Sequence, residues 1–182
     1  GPDQITSVVL QDSSGNDAFR ISFVDVIYNS DGTSSWTYRV AELSTGKDLS
    51  HWNLALNDCH TVMPATTDGY EVGVDGSTGF YGIKWDVTDE FSEGEFTIVL
   101  DKHYAGTEDA QGVGILAKGG NSPDQSEIFG PTCNVPSEHT LYGTHTDQSG
   151  NMALVSISTE TGAGKHEMDL THRYEALAAT PD

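Results

Sequence analysis

Cations are what this sequence most conspicuously lacks. Only 8 Lys and Arg stand against 28 Asp and Glu, a formal net charge of −20 over 182 residues. A surface this acidic repels phosphate backbones and anionic lipid headgroups, whose binding needs Lys and Arg to displace counterions. Nucleic-acid and membrane-surface binding are therefore poor readings. Long apolar runs are missing too: Val24–Tyr28 is broken by Asp25, and nothing approaches the roughly 18 residues of a spanning helix. Cysteine is scarce. Cys59 and Cys133 permit one long-range disulfide, worth about 4 kcal/mol in the chain-entropy model, or two buried thiols. No secretory leader opens the chain, and Gly1-Pro2 reads as the remnant of a cleaved tag. No fixed-period repeat occurs, which argues against a propeller or solenoid. Neither a Gly-x-Ser-x-Gly elbow nor a His-Glu-x-x-His pair is present. With 28 acids, carboxylate pairs at glycosidase spacing arise by chance, so they carry no specificity.

What is there is mostly alternation. Phe19, Ile21 and Phe23 alternate with Arg20 and Ser22, and Trp36, Tyr38 and Val40 with Ser35, Thr37 and Arg39. Phe96, Ile98 and Leu100 repeat the period of two, which marks half-buried strands. Further strands are expected at Ile5–Leu10, Trp52–Leu56, Tyr70–Val74, Phe80–Asp86, Gly112–Ala117 and Ala153–Ser158. Turn chemistry separates them: Ser14-Gly15-Asn16, Ser30-Asp31-Gly32 and Asp75-Gly76. Eight or nine short strands predict an all-β, antiparallel β-sandwich with long loops. One short C-terminal helix is expected over Glu167–Ala179. The polar stretch Asn134–Gly150 reads as a connection inside one domain covering residues 1–182, because the piece beyond it is small for independent folding.

The chemistry that stands out is acidic. At −20, self-repulsion expands a compact state, and bound divalent cations relieve it. Asp86-Val-Thr-Asp89-Glu90-Phe-Ser-Glu93-Gly-Glu95 offers several hard oxygens in one loop, as do Asp12–Asp17, Asn29–Gly32, Asp75–Thr78 and Glu108-Asp109. Calcium takes six to eight such oxygens, although no EF-hand spacing is present. His166, Asp169 and His172 form a weaker zinc candidate, since i, i+3, i+6 on a helix converges poorly on one ion. Trp52 beside His51 is the candidate sugar-stacking surface, whereas Trp36 and Trp85 read as core. Lys118-Gly-Gly-Asn121-Ser-Pro123 reads either as an anion-binding nest or as a plain turn.

Several segments carry a resemblance: Ser35-Trp-Thr-Tyr38, Asp48-Leu-Ser-His-Trp-Asn-Leu54, Cys59, Tyr70-Glu-Val-Gly73, Gly82-Ile-Lys-Trp-Asp86, Ala117-Lys-Gly-Gly120 and Gly130-Pro-Thr-Cys133. Together they resemble the peptide-binding domain of the large calcium-dependent bacterial RTX adhesins, over about Trp36–Cys133. The resemblance implies a non-enzymatic, extracellular cell-adhesion module that uses calcium to capture the free C-terminus of a partner protein, with a terminal Asp favoured. A calcium ion with open positions reconciles an acidic ligand with an acidic protein. The acids near the resembling segment are the candidate metal ligands: Asp31, Asp75, Asp86, Asp89, Asp101 and Asp109. Gly119, Gly120 and Asn121 are candidate peptide contacts, and Cys59 with Cys133, which flank much of the resembling core, are expected to be disulfide-bonded. The chain's own Thr180-Pro181-Asp182 looks like such a ligand and implies weak self-association. The alternative is a carbohydrate-binding module of a surface protein or glycoside hydrolase.

Overall fold

The computed structural model describes residues 4–43, 46–108, 110–136, 140–158 and 164–170. Twelve strands lie among them, all paired antiparallel, and no helix does. Two compact units divide the chain, Gly1–Pro136 and Ser137–Asp182.

The first unit is a sandwich-like pair of sheets. One sheet has the order β1-β2-β3-β7, built from β1 (Ser7–Gln11), β2 (Asp17–Tyr28), β3 (Ser34–Glu42) and β7 (Glu93–Leu100). The other runs β5-β6-β4-β8-β9, from β5 (Tyr70–Val74), β6 (Tyr81–Asp86), β4 (His51–Ala55), β8 (Val113–Lys118) and β9 (Pro123–Ile128). The period of two read from the sequence sets which face is inward. In β3, Trp36, Tyr38 and Val40 are buried while Arg39 is exposed, and β2 sends Phe19 and Ile21 to the same core. From the other sheet, Trp52, Leu54, Ile83, Trp85 and Ile115 complete it.

Aromatic packing dominates this core. The Trp52 and Trp85 rings stack at 4.9 Å with 13° between their planes, and Phe96 meets Trp52 edge-on at 5.3 Å. Three of the core aromatics have partners for their polar ends: Trp85 Nε1 donates to the Thr67 carbonyl (3.0 Å), Trp36 Nε1 to Ser34 Oγ (3.0 Å) and Tyr38 to the Phe129 carbonyl (3.1 Å), whereas Trp52 Nε1 is buried without one. All three tryptophans are thus structural, and the expectation of a sugar-stacking Trp52 is overturned by its complete burial in β4.

Outside β7, residues 61–67 cover a sheet edge that would otherwise expose backbone donors. Met63 N donates to the Val99 carbonyl and Thr67 N to the Thr97 carbonyl, each at 2.8 Å. Glycine is required where the two sheets turn onto neighbouring backbone. A Cβ on Gly119 would stand 2.3 Å from the Phe19 ring, and one on Gly82 would stand 2.1 Å from the Leu54 carbonyl oxygen.

The second unit is a three-stranded meander, β10 (Thr140–Thr146), β11 (Met152–Ser158) and β12 (Gly164–Leu170). Two expectations fail here. The polar stretch Asn134–Gly150 holds strand β10, whose hairpin partner β11 pairs Thr146 with Met152. The expected helix over Glu167–Ala179 begins inside β12, where Asp169 pairs with Ala153; its remainder lies outside the described residues. Cross-strand pairing with β11 overrides the weak local preference of the sequence there.

Candidate functional site

Several carboxylates of the acidic loops serve the loops themselves. In Asp12-Ser-Ser-Gly15-Asn16, the Asp12 carboxylate accepts the backbone N–H groups of Ser14 (2.8 Å), Asn16 (3.0 Å) and Lys47 (3.0 Å). Burial of Asp12 works to raise its pKa, but those donors win and hold it down at about 2. Asp147-Gln-Ser-Gly150-Asn151 repeats the arrangement in the β10–β11 hairpin, with Ser149 N at 2.8 Å and Asn151 N at 2.9 Å. Each has glycine at positive φ, 81° at Gly15 and 84° at Gly150, as tight hairpin loops require.

The candidate metal ligands fall into separate places. Asp31 is exposed in the β2–β3 turn, where Thr33 Oγ1 (2.6 Å) and Thr33 N (3.0 Å) donate to it and lower its pKa. Asp75 is buried in the β5–β6 turn: Ser77 N and Ser77 Oγ donate to Oδ1 at 3.0 Å, and Thr78 Oγ1 to Oδ2 at 2.7 Å. Burial pushes its pKa up, yet these donors and His51 together bring it well below the usual carboxylate range. Asp86 is exposed at the end of β6, 3.1 Å from Lys84 Nζ. Asp89 is exposed in the turn that follows, and Asp101 is half-buried after β7. Asp109 lies outside the described residues. Among the described candidates, only Asp75 and Asp86 are brought near a common side chain, His51, at 3.0 and 4.0 Å.

The zinc candidate also changes character. His166 Nε2 and Asp169 Oδ1 meet at 2.8 Å as an exposed pair on a strand, and His172 lies outside the described residues. Among the described residues, the one group of three His, Cys, Asp or Glu side chains whose ligand atoms all lie within 4.8 Å of one another is Cys59, His60 and Cys133. Its cysteines are joined by a disulfide (S–S 2.05 Å), so they present no thiolate.

That disulfide nevertheless organises an open cleft of about 600 Å³. It brings Asn57-Asp58-Cys59 beside Thr132-Cys133-Asn134, with Thr107 and Gly112–Val113 on a further wall. Behind the cleft is a rigid polar network. Asn57 N donates to His60 Nδ1 (3.2 Å), which leaves His60 Nε2 to donate to the Thr132 carbonyl at 2.9 Å. The Tyr104 hydroxyl sits between the Cys59 carbonyl and Asp101 Oδ1, and Asp101 Oδ1 also accepts Thr61 N at 3.0 Å. Burial, then the Asp101 charge, pushes Tyr104 up to about 12. Neutral Tyr104 and, through burial, neutral His60 make this backing insensitive to pH near neutrality.

On the rim of the cleft, Asn57, Asp58 and Asn134 are exposed. They offer carboxylate and amide oxygens beside the hydroxyls of Thr107 and Thr132, a hard-oxygen set that suits calcium. Asp58 stands alone in the sequence, outside every acidic cluster. Its signal was the Asx pair immediately before a half-cystine, matched by Asn134 immediately after the other.

The glycine turn has a different account. Gly119 is buried against Phe19, and its carbonyl accepts Ser13 N at 3.3 Å. Gly120, at φ 82°, lies under Ser13 and Lys47, whose Nζ donates to Ser13 Oγ at 3.1 Å. Gly120 and Asn121 remain exposed, beside one of the chain's few cations. The segment Thr180-Pro181-Asp182 lies outside the described residues. Compared with known proteins, the chain matches no family model and no curated protein.

Proposed function

We propose that the first unit is a calcium-dependent adhesion module that binds the free C-terminal end of partner proteins or peptides, a terminal Asp favoured, as part of an extracellular bacterial adhesin. The observation that carries this reading is the open cleft at the Cys59–Cys133 disulfide, lined by oxygen donors and backed by a fixed network. Asp58, with the amide oxygens of Asn57 and Asn134, would hold the calcium, whose charge supplies attraction for a ligand's carboxylates. The protein's own part is to keep those oxygens in place: the disulfide and the His60–Thr132 bond tie the two walls together. The disulfide also fits an oxidising compartment, and the resemblance of the Trp36–Cys133 segment to adhesin peptide-binding domains points the same way. With Trp36, Trp52 and Trp85 all buried, nothing in the tryptophan set favours the glycan reading.

Titration calorimetry with a peptide ending Thr-Pro-Asp tests it. Binding is expected in calcium for the free acid, lost with EDTA, and at least tenfold weaker for the C-terminal amide or in Asp58→Asn. Equal affinities for acid and amide, or no binding of either, would overturn the proposal.

A further inference from the structure

A second polar place lies on the outer face of β4, away from the aromatic core. His51 and Asn53 are neighbours on that face, as positions i and i+2 of one strand. Both are buried, at 3% and 1% exposure, and neither His51 Nε2 nor Asn53 Oδ1 has a hydrogen-bond partner. Buried polar atoms are nearly always satisfied, so two orphans on one face ask for an explanation. Asp75 Oδ2 stands 3.0 Å from His51 Nε2 at ion-pair distance, yet no hydrogen bond forms between them. A cation held between an imidazole nitrogen and a carboxylate oxygen would bring the two this close and leave neither atom orphaned.

We propose that His51 Nε2 and Asp75 Oδ2 chelate a divalent first-row transition cation such as Zn²⁺, with Asn53 Oδ1 as the third protein donor. A metal about 2.1 Å from both atoms sees a 3.0 Å separation as roughly a right angle, the edge of an octahedron. The ligands carry suitable protonation: burial lowers the pKa of His51 and keeps the imidazole neutral, and Asp75 is ionised. A supporting shell is in place, since Ser77 and Thr78 fix the Asp75 carboxylate. Lys84 and Lys118 oppose a cation here, but Lys84 is drawn to Asp86 at 3.1 Å, and Asp75, Asp86 and Glu71 outnumber the two lysines. A small cleft of about 50 Å³ lined by Glu71, Gly73, Asp75 and Lys84 reaches the Asp75 side of the pair. A nitrogen donor and three protein ligands suit zinc or its neighbours better than calcium, which asks for six to eight oxygens.

The test is titration of the EDTA-stripped full chain with Zn²⁺ in excess Ca²⁺, so that the cleft is occupied by calcium and cannot contribute. One Zn²⁺ per chain at this site is expected, with affinity weakened by roughly 10–100-fold or more in His51→Gln and in Asp75→Asn, and unchanged in His166→Gln. Tryptophan fluorescence confirms that each variant is folded. Should a variant fail to fold, NMR of the wild-type chain decides: Zn²⁺ must shift the His51 ring nitrogens, and Mn²⁺ must broaden the amides of Asn53 and Asp75. Absence of Zn²⁺ binding, unchanged affinity in both variants, or shifts confined to His60, His145 or His166 would overturn the proposal.

Discussion

Replacing both cysteines, as Cys59→Ser with Cys133→Ser, should destabilise the first unit by an amount that follows from how far apart they lie in the chain. Their separation is 74 residues. In the chain-entropy model a closed loop of that length removes about 15 cal/mol/K from the unfolded ensemble, or about 4.5 kcal/mol at 25 °C. Other contacts hold the same segments in the folded state. His60 bonds to the Thr132 carbonyl at 2.9 Å, and Ala105 N donates to the Asn134 carbonyl at 2.7 Å, so the native geometry should survive the loss of the covalent bond. The effect should therefore appear as an unfolded-state gain. With m near ~2 kcal/mol/M in urea, the midpoint should fall by about 2 M. Tryptophan fluorescence is the appropriate probe because Trp36, Trp52 and Trp85 all lie in the core of the first unit. A loss under about 1 kcal/mol would refute the reasoning, as would free thiols in protein made in an oxidising compartment.

Acid should destabilise the chain in two steps. Burial lowers His51, so the unfolded chain binds the extra proton first and stability falls as pH drops below about 6.5; for Asp75, burial is outweighed by Thr78, Ser77 and His51, and its contribution is lost below about 3.9. Melting temperatures between pH 7 and 5 should thus fall less in His51→Gln than in the wild type. Gly119→Ala, which sets a Cβ 2.3 Å from Phe19, should cost about 1–3 kcal/mol, whereas Gly76→Ala, with nothing within 4 Å, should stay within about 0.5 kcal/mol in urea melts. Calcium at a hundredfold excess over its dissociation constant should add about 2.7 kcal/mol, so chelation should lower the melting temperature by roughly 5–10 °C, and an unchanged melt after verified calcium removal would refute a calcium site in the cleft.

Sequence reading found the sandwich wherever one face of a strand is buried. Trp36, Tyr38 and Val40 alternate with polar neighbours, and the outcome is β3 with those three inside. It failed at strands with little apolar alternation. β9, Pro-Asp-Gln-Ser-Glu-Ile, alternates exposed and half-buried residues at a sheet edge, so it carries almost no apolar signal. β10 lies in a polar stretch that reads as a connection, and β12 overlaps a segment that reads as helix; both are the flanks of a three-stranded meander held by pairing to β11. His51 was hidden for another reason. It alternates with Trp52 and Leu54 as an outward residue should, and nothing local announces that the Asp75 turn comes back over that face.

The acidity of the chain reads differently once its carboxylates are sorted by what they touch. Asp12, Asp31, Asp75 and Asp147 each accept donors from residues two to four positions on, so turn formation already fixes them as acceptors and depresses their pKa values. Such residues appear in a sequence scan as candidate calcium loops because Asp, Ser, Gly and Asn serve both purposes. The two carboxylates proposed as ligands each have a side-chain neighbour from elsewhere in the chain. Asp58 faces Thr132 and Asn134 across a disulfide, and Asp75 faces His51 across the outer surface of a sheet. Both juxtapositions are long-range, which is why counting acids along the chain could propose cation binding in general and still spread its candidates over five loops.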